Sequence, residues 1–258
     1  MFSVWKEDYT YIMPDLKKEP VNTITHPEFH KDININLRLN YIRALVLGAN
    51  DGIVSIAGLV VGIAGATASA HIIFTGGMAG IIAGAISMAA GEYVSVSSSR
   101  DTEIALLEKE KYELKHFPEM ELKELAGLYE LKGLSKKTAI QVAKELSAED
   151  PYKAHVDAEL GIDPNNLTNP WHAALASSVS FLVGSSIPLL AVMLPPENIR
   201  VPTTFFSVIL ALVITGTVSA KISKAPLMRA IMRVVIGGAV AMVVTYSIGY
   251  LFGVQTSI

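Results

Sequence analysis

Five apolar stretches, at approximately residues 42–66, 71–99, 171–194, 203–223 and 227–252, break an otherwise polar chain. Each is long enough to cross about 30 Å of hydrocarbon, which takes roughly 20 helical residues. The first two are separated only by Gly65-Ala66-Thr67-Ala68-Ser69-Ala70, which predicts a tight antiparallel hairpin. The third and fourth are joined by residues 195–202, with prolines at 195, 196 and 202, and the fourth and fifth by a short turn at Lys224-Ala225-Pro226.

Between spans two and three the pattern changes to short amphipathic helices. Nothing helix-breaking follows Arg100 until Pro118, so the second span is expected to continue through Asp101–Lys115. A helix from Pro118 to Lys132 stops at Gly133, and Ser135 caps another with Ile140, Ala143 and Leu146 at helical spacing. A last, short one runs from Asp150-Pro151 to Gly161. The apolar positions Leu106, Leu114, Leu122, Leu125, Leu128, Leu134, Ile140 and Leu146 suffice for a small bundle. The expected fold is an all-α membrane protein: five transmembrane helices, with a cytoplasmic helical metal-binding domain inserted between spans two and three. Its parts are a polar segment 1–40, spans one and two over 41–100, the inserted domain over 101–168, and spans three to five over 169–258.

Composition and charge sharpen this picture. Hydrophobic residues make up 51% of the chain and the mean hydropathy is +0.41, so a membrane class leads. Residues 1–40 hold no apolar stretch, so no secretory leader is expected there. The absence of cysteine removes thiolate ligands and leaves His, Met and carboxylate. The net charge of −3 conceals a partition: fifteen of the twenty-four Asp and Glu lie between Asp101 and Asp163, beside nine Lys and no Arg. Lys221, Lys224, Arg229 and Arg233 cluster at the turn between spans four and five, Arg38 and Arg43 precede span one, and Arg100 follows span two. The positive-inside rule then puts the N-terminus, the acidic block and the 221–233 turn in the cytoplasm and the C-terminus opposite. No basic patch suggests nucleic acid.

A charge inside lipid costs on the order of 3 kcal/mol, so Asp51 and Glu92 are functional candidates. Counted from the ends of their apolar runs, both lie on the order of 10 Å deep, with Met88 one turn deeper on the face of Glu92. Two anions at one level repel, and a divalent cation between them relieves both. The competing reading pairs Asp51 with Arg43 or makes it a cap at Gly52, and holds Glu92 by Ser95 or Tyr93. Gly58 and Gly62, and likewise Gly76, Gly80 and Gly84, allow close helix approach, within the chain or between the subunits of a homo-oligomer. In the acidic block, Glu103, Glu110 and Glu113 lie near one stripe, while Glu121 and Glu124, and His155 and Glu159, are spaced for shared ligation. A solvated face balanced by Lys109, Lys111, Lys115 and Lys123 is the alternative. Glu113-Leu114-Lys115-His116 matches one Glu-x-x-His element, of which di-iron bundles need two. His26-Pro27-Glu28-Phe29-His30 is a further His pair before the first span.

Leu47-Gly48-Ala49-Asn50-Asp51-Gly52, Gly84-Ala85-Ile86-Ser87-Met88 and Gly91-Glu92-Tyr93-Val94-Ser95 resemble the vacuolar iron transporter family, as do Arg100-Asp101-Thr102-Glu103 and Glu159-Leu160-Gly161. The resemblance covers roughly residues 38–252 and is closest to a prokaryotic-type member. It implies a dimeric transporter that moves ferrous iron, and often manganese, out of the cytosol by proton exchange, along a dimer-interface path lined by spans one and two. Matched by position, the pathway Asp and Met fall on Asp51 and Met88, and the soluble ligands on Glu110, Glu113, Glu121, Glu124 and Glu159. Two positions depart from the pattern. Gly80 stands where eukaryotic members carry a pathway Glu, so Glu92 is assigned that role, and His155 stands where the family has Met.

The expected function is therefore export of Fe²⁺ or Mn²⁺ from the cytoplasm by a homodimer, probed through Asp51, Met88 and Glu92, with no organic cofactor and no enzymatic step. Met and His ligands disfavour Mg²⁺, which keeps its waters. The alternatives are a membrane-anchored ferroxidase built on Glu113 and His116, or a metal sensor or store that uses only the acidic block.

Overall fold

A computed structural model describes residues 35–255, and His26, Glu28 and His30 lie outside it. The described residues form α1 (Ile35–Ala66), α2 (Ala70–His116), α3 (Pro118–Leu131), α4 (Lys136–Glu149), α5 (Pro151–His155), a π-helical turn (Val156–Leu160), α6 (Pro170–Met193), α7 (Glu197–Ser223) and α8 (Leu227–Gln255). Five of these, α1, α2, α6, α7 and α8, are long and apolar enough to cross a membrane.

Helix α1 is the hub of the membrane bundle and packs against α2, α6, α7 and α8. Its core face presents Ile53, Ile56, Val60 and Val61 to Ile73, Phe181, Val192, Leu212 and Met242. Helices α1 and α2 form the expected hairpin across a turn at residues 67–69, although both pack more extensively on α6 than on each other. Small residues decide this. A Cβ on Gly48 or Gly52 would strike the backbone of α6 at Ser177 or Phe181, and one on Gly184 would strike Ala49 of α1. Gly249 of α8 similarly abuts the Gly62 carbonyl. The glycines of α2 meet side chains instead: Gly76 faces Ile63, Gly80 faces Leu59, and Gly84 faces the Phe181 ring. These glycines are used for packing inside one chain, and they carry no separate argument for a second subunit.

The segment expected to be a loop over 195–202 is helical from Glu197 onward. Pro196 (φ −60°, ψ 156°) occupies the cap position and Pro202 is accommodated inside α7. Arg200 fastens this corner: it is 8% exposed and its Nη1 donates to the Ala68 carbonyl in the α1–α2 turn at 3.1 Å. A buried guanidinium that satisfies an orphan carbonyl holds the helix start in place of a loop.

Helix α2 runs unbroken for 47 residues, about 70 Å at 1.5 Å per residue, far beyond what a bilayer core needs. Its distal half packs against α3, α5 and the π turn, and α4 packs on α3 and α5. Gly133 (φ +99°) ends α3, and the Ser135 side chain accepts from Thr138 N to start α4. The bundle core is small: Leu125, Ala126, Ala143 and Ala154, with Leu122, Tyr129, Leu146 and Ala158 against it. Ile140, Leu134 and Leu106, expected in this core, are 37–38% exposed. Helix α4 turns Ala139 and Ala143 inward instead, since only small residues let α3 and α4 approach closely.

Candidate metal centre and membrane acids

Three helix ends converge at the far end of α2. Glu110 comes from the last turns of α2, Glu121 from the first turn of α3, and His155 from the end of α5. All are buried, at 3%, 5% and 0% exposure, and their ligand atoms lie within 4.8 Å of one another. From His155 Nδ1 the carboxylate oxygens of Glu110, Glu121 and Glu159 are 3.0, 3.7 and 3.9 Å away. Each separation fits within two metal–ligand bonds of about 2.0–2.2 Å that meet at one ion.

The short contact between Nδ1 and Glu110 is not a hydrogen bond. Both ring nitrogens of His155 and Oε1 of Glu110 are buried without a hydrogen-bond partner. Leaving such groups unmatched costs on the order of 1–3 kcal/mol apiece, and a shared cation satisfies His155 Nδ1 and Glu110 Oε1 together. Electrostatics agree. Burial first, then the charges of Glu159, Glu121, Glu113 and Glu124, push the Glu110 carboxyl up to about 7. Burial and the same acidic surroundings raise Glu121. For His155, burial lowers the pKa and outweighs the opposing pull of Glu159 and Glu124, which favours the neutral, ligating imidazole.

Around this centre Glu113, Glu124 and Glu159 form an outer acidic ring. Glu113 is paired with Lys109 at 3.3 Å, Glu124 is exposed, and Glu159 follows His155 through the π turn. Glu103 is not gathered: it lies seven residues back along α2, about 10 Å away. His116 is also elsewhere. It is exposed, stacks on Tyr112 with ring centroids 4.0 Å apart, and places Nδ1 2.8 Å from the Tyr112 carbonyl oxygen. The single Glu-x-x-His element therefore contributes Glu113 to the rim of the cluster and no histidine.

Lys132 is a participant the sequence did not reveal. Its Nζ donates to the Ala158 carbonyl at 3.2 Å, in the π turn that separates His155 from Glu159. Gly161 (φ +60°) closes that turn by donating its N–H to the Val156 carbonyl. A π turn has no periodicity signature; the glycine at its end was its sole advance mark.

In the membrane bundle, Glu92 pairs with Arg43, Nη2 to Oε1 being 4.0 Å. This corrects the expected common depth of Asp51 and Glu92. Arg43 precedes Asp51 on α1, so its partner Glu92 stands nearer the α2 extension than Asp51 does. Phe181 fixes the deeper level, with its carbonyl beside Gly52 and its ring beside Gly84. Met88 lies one turn from Gly84 toward Glu92 and packs against the membrane core. Glu92 and Met88 thus form successive rungs roughly 6 Å apart along α2, with Asp51 on α1 at their inner end.

Residues 42–250 match the VIT family. The chain is 40% identical over 212 residues to "Vacuolar iron transporter" of Acanthamoeba castellanii, covering 82% of this chain and 78% of that one. It is 32% identical over 236 residues to "Vacuolar iron transporter homolog 2.1" of Arabidopsis thaliana, covering 91% and 92% of the two chains. It is also similar to "VIT-like transporter 1b" of Glycine max, at 29% identity over 242 residues, or 93% and 89% of the two chains.

Proposed function

The chain belongs to the VIT family, and from that premise we propose that it carries Fe²⁺, and also Mn²⁺, out of the cytoplasm as a homodimer. The observation that carries the reading is the buried trio of Glu110, Glu121 and His155, in which Glu110 stands on a helix continuous with a membrane span and faces an unpartnered His155. The carboxylates attract a divalent ion and His155 supplies one nitrogen, a mixed set suited to Fe²⁺ and Mn²⁺ and poorly suited to Mg²⁺. The outer ring of Glu113, Glu124 and Glu159 concentrates the ion at the centre.

From the cytoplasmic face the ion passes Glu92, Met88 and Asp51 in turn. Glu92 is held at the mouth by Arg43, so an arriving cation competes with a guanidinium for that carboxylate. Met88 offers a soft thioether, which favours Fe²⁺ over harder ions. Asp51 is the deepest acid of the series. Proton antiport is part of the proposal, because carboxylates that release a metal ion take up protons in its place.

The test is Fe²⁺ flux into proteoliposomes by the full-length protein and by Asp51→Ala. Flux that falls at least tenfold with the substitution is expected. Equal flux in both proteins would exclude a path past Asp51, and flux indifferent to an imposed pH gradient would exclude antiport.

A further inference from the structure

A second feature at the same end of the bundle has the opposite charge. A cavity of about 550 Å³ opens between α1, α7 and α8, with Arg43 and Arg233 at its exposed rim, Val46 and Val234 on its walls, and Asn50 and Ser219 further in. It is a separate space from the rungs of the cation path, and two guanidinium groups at its mouth repel a divalent metal. Arg43 is shared with Glu92 at 4.0 Å. Arg233 donates Nε to the Arg229 carbonyl at 3.2 Å, and among the described residues no carboxylate pairs with it. Asn50 Oδ1 is buried and unpartnered.

We propose that this cavity holds the headgroup of an anionic phospholipid. Three observations single out a lipid over a dissolved anion. The size is that of a ligand pocket, and its lining is mostly apolar, as an acyl chain requires. Leu47 and Ile222 continue the apolar surface outward at 51% and 39% exposure, where hydrocarbon runs past the helices. Lys221, Lys224 and Arg229 lie on the same α7–α8 turn as the lining residues Ser223, Ala225 and Ala230, and interhelical basic pockets of this kind select negative headgroups. The phosphate takes the Arg233 guanidinium and the free side of Arg43, and Asn50 Oδ1 accepts from a headgroup hydroxyl or a water carried in with it. The occupant then rests on the face of α1 that is one residue from Asp51.

Native mass spectrometry of the full-length protein, supplied with phosphatidylglycerol or phosphatidylcholine in neutral detergent, tests this. Tight retention of phosphatidylglycerol, reduced at least fivefold by Arg233→Gln and by the cavity-filling Ser219→Leu, is the expected result. Phosphatidylglycerol should also raise the melting temperature of the unsubstituted protein by several degrees. Circular dichroism establishes that the variants are folded. Equal retention in all three proteins, or preference for phosphatidylcholine, overturns the proposal. Stabilisation reproduced by inorganic phosphate alone assigns the pocket to an aqueous anion and overturns it too. Neither readout involves metal, so failure here leaves the transport reading untouched.

Discussion

Glu110 binds its proton near neutrality because it is enclosed and surrounded by other acids, and this has opposite consequences for stability and for metal binding. Its folded-state pKa of about 7 exceeds the ordinary 4.5. Between those values the folded protein holds more protons than the unfolded chain, so this group's contribution to stability declines as pH rises from 4.5 through 7. Above 7 the penalty is on the order of 3 kcal/mol. Glu110→Gln is therefore expected to raise the melting temperature of the metal-free protein at pH 8 and to change little near pH 4.5. The same variant should lose Mn²⁺ affinity at least tenfold by titration calorimetry. Identical melting curves at pH 8 would show that the carboxylate is not strained by its surroundings. For the unsubstituted protein, Mn²⁺ affinity should weaken as pH falls below 7, because protonated Glu110 must give up its proton to bind. At this scale the sequence offered the acids as a group but could not arrange them. Stripe positions on α2 include Glu103 as readily as Glu110, and only the docking of α3 and α5 separates the two. The continuation of α2 past Arg100 was legible, but the pairing of Glu92 with Arg43 was not, because it depends on how α1 and α2 pack.

Among the elements, the π turn after His155 is the one whose geometry the centre depends on most directly. Gly161 closes it with φ +60°, and a Cβ there would meet nothing within 4 Å. Replacing it by Ala thus exacts a backbone penalty of about 1–2 kcal/mol and no steric one. Gly161→Ala is expected to weaken Mn²⁺ binding several-fold, whereas Gly161→Asn, which tolerates the left-handed region, should lie close to the unsubstituted protein. Equal losses for both would point to the side chain rather than to φ. Helix boundaries at Pro118, Gly133 and Ser135 were readable because each has a local cause in a ring, a positive φ or a hydroxyl cap. The helical start at Glu197 was not, because what stabilises it is Arg200 reaching a carbonyl 132 positions away in sequence.

Over the whole molecule, α1 is gripped by α6 and α8 through backbone contact, and that grip sets the limits of substitution. At Gly249 any side chain would displace the Gly62 carbonyl. Gly249→Ala is expected to destabilise the bundle by on the order of 1–3 kcal/mol, read as a lower melting temperature in detergent, while leaving Mn²⁺ affinity at the His155 cluster unchanged. A fall in affinity would mean that bundle and cluster are mechanically linked. The five spans were legible because hydrocarbon thickness imposes a length that composition reveals. Their neighbour relations were not, since glycines spaced by four fit a partner in any direction.

The length of α2 has a consequence for how ions change hands. Eighteen residues separate Glu92 from Glu110, which along a continuous helix is about 27 Å. At physiological ionic strength charges are screened over roughly 8 Å, so the two stations lie some three screening lengths apart. Neither can feel whether the other is filled. On the proposed pathway, loading the distal cluster would therefore raise the supply of ions without altering how tightly Glu92 holds one, and transfer between them would go through water as a diffusive relay. On that reading the stalk would make the protein a reservoir and a turnstile in series, each with its own independent saturation.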